Sequence, residues 1–272
     1  MPSQDSAAPI QFLKLGGSLI TDKAQPHSPR PDVLRRLAGE IAGARHKTPG
    51  LKIILGHGSG SFGHVPAQKY GTRQGVKTPE QWLGFQVVWG EAAALNHLVI
   101  EALIEAGLPA MSFPPSASIL AAGGLVERWD ISPIQTALDA GLLPVVYGDV
   151  VFDRLLGGTI LSTEDLFEHL ATHFRPSRLL LAGREPGVWA DYPVCTRLLR
   201  EITPRSLERD APALSGSAAT DVTGGMASKV QQGLRLCNHI QGLQVLIFSA
   251  EAPGALEQAL SGERIGTLLR AD

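Results

Sequence analysis

Short, uninterrupted apolar segments alternate along this chain with longer segments of helical periodicity, and that alternation restricts the folds open to it. Segments such as Ile53–Leu55, Val145–Tyr147 and Leu179–Leu181 are continuously apolar rather than alternately apolar and polar. Continuous apolar strands are typical of parallel sheets that are covered on both faces. The candidate strands are Gln11–Leu15, Leu51–Leu55, Pro109–Phe113, Leu143–Tyr147, Arg178–Ala182 and Leu243–Phe248.

Helix signals occupy the segments between these strands. Val33, Leu37 and Ile41 recur at four-residue spacing, and Glu164 with Asp165 gives one segment an acidic first turn. Strands that alternate with helices predict βαβ units and an α/β fold with an open, mostly parallel sheet sandwiched by helices. The candidate helices are Pro31–His46, Pro79–Ala106, Thr163–Phe174, Met226–Ile240 and Gly254–Leu260.

Composition narrows the class of protein. The 272 residues are 44% hydrophobic and 18% charged, with a net charge of −2, so no basic excess indicates a nucleic-acid partner. The first ten residues are polar, no uninterrupted apolar run reaches the ~20 residues of a membrane span, and the two cysteines suggest no disulfide framework. We therefore expect a cytoplasmic protein with no membrane partner.

One large α/β domain accommodates this length. No clear linker divides the chain, so residues 1–272 are predicted to form a single domain. A soft division near residue 175 separates approximate lobes, 1–175 and 176–272.

Three glycine-rich segments are the candidates for chemistry. The first, Lys14–Ser18, reads KLGGS and is followed by Lys23. The second, Gly56–His64, reads GHGSGSFGH and follows the second strand. The third, Asp221–Met226, reads DVTGGM and precedes Lys229 at the start of a helix.

Glycine lets backbone N–H groups approach a ligand closely, and a helix N-terminus adds the positive end of its dipole. A neighbouring lysine adds a point charge for phosphate. Each feature alone has an ordinary explanation, such as a turn or a solvent-exposed lysine. Three such segments with three lysines together suit a ligand with several phosphates, or two phosphorylated ligands meeting head to head.

Two common nucleotide motifs do not explain these segments. None matches the P-loop pattern G-x-x-x-x-G-K-[ST]. Gly58, Gly60 and Gly63 have the spacing G-x-G-x-x-G, but no acidic residue follows at the distance that dinucleotide binding requires, since that neighbourhood is Thr78-Pro79-Glu80.

Four motifs resemble those of the amino acid kinase superfamily, and within it those of the isopentenyl phosphate kinases. They are KLGGS, the glycine-rich segment that ends in GSFGH, PVVYGD at 144–149 and DVTGGMxxK. The resemblance spans about residues 11–269. It implies a three-layer αβα fold, transfer of the γ-phosphoryl of ATP to isopentenyl phosphate in isoprenoid biosynthesis, ATP and Mg²⁺ as cofactors, and a homodimer. Its implied protein site includes no metal ligand.

The resemblance also assigns roles by position. Lys14 and Lys23 would surround the transferring phosphoryl group, with Lys23 stabilising the transition state, and His64 would hold the acceptor phosphate. The glycine-rich segments would supply the remaining contacts. Nucleotide contacts are expected from Lys14, Gly16, Gly17, Ser18, Gly60, Arg184, Gly225 and Lys229, and acceptor contacts from Ser59, His64 and Thr163.

Two positions depart from the family pattern. Thr163 stands where the family has a glycine whose N–H contacts the acceptor phosphate, and a threonine serves there only with a negative φ. Arg184 replaces an aspartate that contacts ATP, which leaves nucleotide preference open. His57 also occurs in relatives with other acceptors, and we interpret it as structural.

The helix after the second glycine-rich segment is a candidate wall for an isoprenyl tail. Phe85 and Trp89 are four residues apart and share a face, with Trp82 and Val88 nearby. Ordinary core packing is the competing interpretation. His169 and His173 are also four apart, but no H-E-x-x-H pattern supports a metal site there.

Three functions remain open from the residues. The first is a kinase of isopentenyl phosphate. The second is a superfamily kinase of fosfomycin, an amino-acid carboxylate or a carbamate, which needs no apolar tail pocket. The third is a non-catalytic nucleotide-sensing module, which the departure at Arg184 permits and which Lys14, Lys23, His64 and Lys229 argue against.

Overall fold

The computed structural model describes residues 9–22, 24–207 and 225–272. The strands are β1 Ile10–Leu15, β2 Lys52–His57, β3 Ala110–Ser112, β4 Ile119–Ala122, β5 Leu125–Trp129, β6 Leu143–Tyr147, β7 Asp149–Asp153, β8 Gly157–Leu161, β9 Arg178–Gly183, β10 Val188–Trp189, β11 Leu198–Leu199, β12 Glu201–Ile202, β13 Gln244–Ser249 and β14 Thr267–Leu269.

The helices that cover the sheet and position the site follow. They are α1 Gly17–Ile20, α2 Pro31–Lys47, α3 Gly60–Tyr70, α4 Pro79–Glu105, α5 Pro115–Ser118, α6 Ser132–Asp139, α7 Thr163–Phe174, α8 Gly225–His239 and α9 Ala255–Leu260. A 3₁₀ turn, Thr72–Gln74, lies between α3 and α4.

An eight-stranded sheet in the order β12-β14-β13-β9-β1-β2-β6-β3 forms the centre of the molecule. Six neighbouring strands, from β13 to β3, run parallel, and β14 with β12 runs antiparallel to them. Every candidate strand from the sequence is one of these six. The predicted α/β class with a mostly parallel sheet is therefore confirmed.

Two apolar cores lie on opposite faces of this sheet, because successive residues of β1 point to opposite sides. Phe12 packs against Phe167 of α7, with ring centroids 4.9 Å apart, in the core that α6, α7 and α8 cover. Leu13 belongs to the second core, under α2, α4 and α9. Full burial of each such side chain contributes about 1.5–3 kcal/mol, so both layers anchor the central strands.

Strand register aligns the ends of the parallel strands. Leu15 pairs with His57 on one side and with Ala182 on the other. His57 in turn pairs with Tyr147, and Ala182 with Phe248. The five strand ends therefore form one row, and the residues that follow each of them emerge at the same edge of the sheet.

A smaller four-stranded sheet, ordered β5-β4-β7-β8, flanks this edge. The glycine pairs at 123–124 and 157–158 form its turns, and the carboxylate of Asp153 accepts N–H donors from both, at Gly123, Gly124, Leu155 and Leu156. None of these four strands was among the candidate strands of the sequence. These strands are only four or five residues long and are separated by glycine turns, so periodicity alone does not mark them.

The second glycine-rich segment differs from expectation. The candidate helices did not include this segment, but helix α3 begins at Gly60 and includes His64. Glycine and proline disfavour helices, which concealed this one. Packing overrides that preference, because Phe62 is buried in the core beside α2 and α4.

Helix α4 is the one described helix whose length and composition would allow it to cross a membrane, with a mean hydropathy of 1.4 over its most apolar window. That also differs from the sequence expectation, which considered only uninterrupted apolar runs. In this fold Leu95 and Val99 of α4 lie in the core below the sheet.

The approximate lobes share the large sheet. Strands β1, β2, β3 and β6 come from residues 1–175, and β9, β12, β13 and β14 from residues 176–272. The boundary between the lobes stays a prediction.

Candidate active site

A cavity of about 610 Å³ opens at the aligned strand ends. Gly16, Gly58 and Gly148 follow β1, β2 and β6 directly, Gly183 ends β9, and all four line the cavity. Ligands of open parallel sheets bind at this edge. The register of the sheet therefore explains why residues from distant parts of the chain meet at one site.

The first two glycine-rich segments touch backbone to backbone beside this cavity. A Cβ on Gly17 would overlap the backbone nitrogen of Gly60 and lie 2.6 Å from its Cα. Gly60 has a φ of +51°, and a Cβ there would lie 2.7 Å from the carbonyl oxygen of Gly17. Only glycine fits either position, so the segments approach more closely than side chains would allow.

Three helices of more than two turns begin at the cavity. Gly60, Thr163 and Gly225 are the first residues of α3, α7 and α8, and each lines the cavity wall. The first N–H groups of a helix have no acceptor within it, and its N-terminus carries partial positive charge. Three such ends around one cavity favour a ligand with several negative groups.

Lys14 places a full positive charge among these donors. It is 8% exposed on β1 and forms an ion pair with Glu164 in the first turn of α7. Burial alone would raise the pKa of Glu164, but the charges of Lys14 and Lys229 lower it below its ordinary value. The carboxylate therefore stays ionised and holds Lys14 against the cavity.

Sequence reasoning did not assign a role to Glu164. Its signal was the acidic first turn of α7, which we interpreted only as a helix start. Glu164 interacts favourably with the positive end of the α7 dipole and also holds Lys14 in place, so one sequence pattern has two functions.

The predicted site residues are mostly brought together. Lys14, Gly16, Gly17, Ser18, Ser59, Gly60, His64, Thr163, Arg184, Gly225 and Lys229 line the cavity. Lys23 lies outside the described residues, as does the part of the third glycine-rich segment that precedes Gly225.

One end of the cavity combines His64 with an apolar surface. His64 lies in the second turn of α3, and Ala67, one turn later, continues the same wall. Val88 and Ala92 of α4 and Ile160 of β8 complete it. A polar group beside an apolar wall suits a ligand with an anionic head and a short apolar tail.

Phe85 and Trp89 do not line this wall. Phe85 is 7% exposed and packs against Trp82 and Phe152, with centroids 5.2 and 5.3 Å away, on the side of α4 next to β7. Trp89 is 45% exposed. Helical geometry explains the position of Trp89, which is rotated by about 100° from Val88. Phe85 shares a face with Val88 and Ala92 but lies earlier along α4, where it packs in the cluster with Val88 instead of lining the cavity.

Thr163 satisfies the condition that its position requires. It is the first residue of α7, and it is not among the described residues with positive φ. Its hydroxyl donates to the carbonyl of His57 at 2.5 Å, and Ser162 with Asp165 forms a capping box around it. The N–H of Thr163 is therefore held at the cavity by bonds on both sides.

His57 has a different environment from His64. It is 1% exposed, its Nε2 bonds with the amide oxygen of Asn96 at 3.2 Å, and its ring stacks on Tyr147. Burial lowers its pKa below the ordinary histidine value. It does not line the cavity, in agreement with the structural role that the sequence suggested.

The opposite end of the cavity is more exposed and rich in charge. Arg184 lies 3.0 Å through its Nε from Glu251, and its side chain is 57% exposed. Arg30 binds both oxygens of Glu251, at 2.8 and 3.0 Å, and this hydrogen bonding is the main reason that the pKa of Glu251 is lowered. Trp189 and Tyr192 also line this end.

No group of three or more histidine, cysteine, aspartate or glutamate side chains is arranged to hold a metal ion within residues 9–22, 24–207 and 225–272. The carboxylates that line the cavity have other partners. Glu164 pairs with Lys14, Glu251 with Arg30, and Glu185 accepts from the indole N–H of Trp189. The rings of His169 and His173 are in tilted contact on α7, and neither lines the cavity.

Comparisons with known proteins agree on one family. Residues 9–249 match the model of the amino acid kinase family. The chain is 38% identical over 265 residues to isopentenyl phosphate kinase of Methanothermobacter thermautotrophicus, covering 93% of this chain and 96% of that protein. It is 32% identical to isopentenyl phosphate kinase of Methanocaldococcus jannaschii, covering 95% and 97%.

A solved structure gives the same result for the fold. An X-ray structure of isopentenyl phosphate kinase superposes with a TM-score of 0.80 at 34% identity, covering 96% of this chain and 99% of that one.

Proposed function

The chain belongs to the amino acid kinase family, and from that premise we propose that it is an ATP-dependent isopentenyl phosphate kinase, which forms isopentenyl diphosphate and ADP. The single observation that carries the proposal is the composition of the cavity. It joins helix N-termini and Lys14 to a histidine beside an apolar wall.

The acceptor binds at the His64 end in this proposal. Its phosphate contacts His64, Ser59 and the N–H of Thr163, and its five-carbon tail lies along Val88, Ala92 and Ile160. An amino-acid carboxylate or a carbamate has no apolar tail of this size, so the apolar wall favours an isoprenyl monophosphate over those acceptors.

ATP binds across the glycine-rich segments towards Arg184 in this proposal. Gly16, Gly17, Ser18 and Gly60 face its phosphates, with Gly225 and Lys229 on the far side. An oxygen of the acceptor phosphate attacks the γ-phosphorus. The bond from that phosphorus to the β–γ bridging oxygen breaks, and ADP leaves with the electron pair.

Lys14 acts on the charge of the transferring group. Phosphoryl transfer needs positioning and charge stabilisation more than covalent participation. Lys14 lines the cavity, its pairing with Glu164 prevents it from turning away, and it needs little reorganisation to meet the developing charge. The resemblance assigns Lys23 a role in the transition state as well.

Mg²⁺ enters with the nucleotide in this proposal. The cavity carboxylates are already paired within the protein, so the described side chains do not form a magnesium cage. Mg²⁺ commonly binds through substrate phosphates and water. The substrate is therefore MgATP, and the protein residues act on its phosphates.

The central test is an acceptor screen of the purified protein with MgATP, following ADP release and identifying the product by mass spectrometry. Isopentenyl phosphate should be converted to the diphosphate. Turnover of fosfomycin, an amino acid or carbamate without turnover of isopentenyl phosphate would overturn the proposal. Nucleotide binding with no turnover of any of these would favour the sensing module.

We also propose a cytoplasmic homodimer. Cys195 and Cys237 are free thiols, which suits a reducing compartment. Light scattering during size-exclusion chromatography tests the assembly, because a dimer doubles the 28.9 kDa mass of the chain. Fractionation of the source cells tests the compartment.

A further inference from the structure

Arg73 lines the same cavity, and neither its sequence context nor the family resemblance drew attention to it. It lies in the 3₁₀ turn between α3 and α4, between Gly71 and Gly75, which both have positive φ. Its carbonyl accepts the hydroxyl of Thr159 at 2.9 Å. The backbone of this arginine is therefore fixed against β8, beside the acceptor end of the cavity.

The guanidinium of Arg73 is held at one nitrogen. Its Nη2 donates to Oδ2 of Asp165 at 3.1 Å. The same oxygen accepts the N–H and the hydroxyl of Ser162, each at 2.8 Å. Arg73 is thereby tied to the start of α7, immediately beside the N–H of Thr163.

A second nitrogen of this guanidinium, Nη1, is not used by the part of the fold that the structure describes. Nη1 is shielded from solvent and has no hydrogen-bond acceptor within the described part of the chain. A buried charged donor without an acceptor is unfavourable, so such groups in native proteins call for an explanation. Glu164, the closest carboxylate in sequence to Asp165, is already paired with Lys14.

A planar guanidinium offers two edges to oxygen anions, and carboxylate at one edge leaves another for a phosphate. His64 and Thr163 line the cavity with Arg73, and the proposed function places the acceptor phosphate beside them. We propose that Arg73 is a further binding residue for this phosphate, a second cationic contact in addition to His64. The inference rests on the proposed function for the identity of the acceptor.

The competing explanation is purely structural, with Arg73 acting only through Asp165 on the helix start. Two variants separate the possibilities. Arg73→Gln keeps an N–H donor for Asp165 and removes the charge. Arg73→Lys keeps the charge and removes the planar fork. Arg154→Ala is the matched control, because Arg154 pairs with Glu127 on the exposed side of the smaller sheet.

Steady-state kinetics with isopentenyl phosphate test the contact in the whole enzyme. Arg73→Gln should raise the acceptor KM about tenfold to a hundredfold, with the KM for ATP and the Tm near wild type, and Arg73→Lys should recover part of the loss. Arg154→Ala should match wild type. An acceptor KM within about twofold of wild type in Arg73→Gln would overturn the inference.

Calorimetric titration with inorganic phosphate, in saturating ADP, tests Arg73 independently of turnover. Arg73→Gln should weaken phosphate binding about tenfold or more, and equal affinities in wild type and variant would reject the contact. Failure of wild type to phosphorylate isopentenyl phosphate would instead reject the proposed function. A variant that weakens phosphate binding only in proportion to a lowered Tm would support the structural explanation and overturn ours.

Discussion

The two ends of the cavity differ in how their polar groups are held and in how exposed those groups are. At the acceptor end the polar groups lie on helix starts that are joined by buried bonds, such as the hydroxyl of Thr163 to the carbonyl of His57. At the nucleotide end, Arg184 is held by a single ion pair and is 57% exposed, compared with 10% for the side chain of Lys14.

This difference determines how strongly each charge acts. Interactions between charges weaken as the surrounding dielectric rises, and salt screens those that are exposed to solvent. Buried Lys14 and its partner Glu164 should therefore dominate the chemistry, and exposed Arg184 should adjust affinity only slightly. The predictions below test that ranking.

Lys14→Ala should produce the largest effect. Removing one preorganised charge from a water-poor site lowers kcat about 10²–10³-fold, and it leaves Glu164 with less compensation for its burial. Single-turnover kinetics measure the chemical step directly. The matched control is Lys52→Ala, since Lys52 pairs with Asp139 at the opposite edge of the sheet and should leave kcat unchanged. A kcat within about threefold of wild type in Lys14→Ala would remove this residue from the mechanism.

His64→Ala should have the next largest effect, confined to one substrate. Loss of a charge-assisted contact should raise the acceptor KM about tenfold to a hundredfold and lower kcat, with the KM for ATP within about twofold. His97→Ala, an exposed histidine on α4, is the control. If the KM for ATP rose instead, the two ends of the cavity would not be separate in the way described.

Asp149→Asn tests whether the acceptor side of the cavity excludes water from the Asp149 carboxyl as its packing indicates. Burial raises the pKa of Asp149 to about 6, from an ordinary 3.8. The folded state therefore binds the proton of the Asp149 carboxyl more tightly than the unfolded state does. Protonated Asp149 stabilises the fold fully below about pH 4, and this contribution is lost as pH rises to about 6. The variant should lose that slope and be about 1–3 kcal/mol more stable than wild type at pH 7.

Asp153 on the same strand gives the opposite sign. Burial would raise its pKa, but the N–H donors of the two turns lower it below the ordinary value. Its contribution is present at neutral pH and is lost as pH falls through that lowered pKa. Asp153→Asn should therefore destabilise the protein at pH 7. Urea unfolding from pH 4 to 7 measures both variants, and parallel pH profiles for wild type and Asp149→Asn would contradict the burial argument.

Arg184→Ala should produce the smallest effect. An exposed charge contributes little, so the KM for ATP should rise about two- to fivefold at low salt. The difference from wild type should disappear near 0.5 M salt, because screening removes the contribution from both proteins. A loss above about twentyfold that persists in high salt would mean that Arg184 is buried by the nucleotide, and the contrast between the two ends would fail.

The six parallel strands of the central sheet were predictable because most are continuously apolar and because segments of helical periodicity lie between them, whereas β12 and β14 were not predicted. The strand ends and the glycine segments that follow them then placed Lys14, Gly16 and Gly58 at one edge. These residues can be recognised from the local composition of the sequence, and the fold only brings them together.

Other residues gave no such signal. Helix α3 is held by the burial of Phe62, which local propensity does not record, so the conformation of His64 was missed. Phe85 and Trp89 were chosen by aromatic content, whereas the residues of α4 that face the cavity depend on how this helix packs in the tertiary structure. Arg73 depends on a turn whose position only the tertiary structure defines.

The contact between Gly17 and Gly60 has a consequence for how such an enzyme changes over time. Direct contact between the main chains of Gly17 and Gly60 sets the spacing of the donors that face the two substrates, so this spacing does not depend on any side chain. Under the proposed function, exchange of Ala67, Val88 or Ile160 should alter which tail is accepted and leave that spacing unchanged. Mutations can therefore change the choice of acceptor during evolution without changing the catalytic geometry.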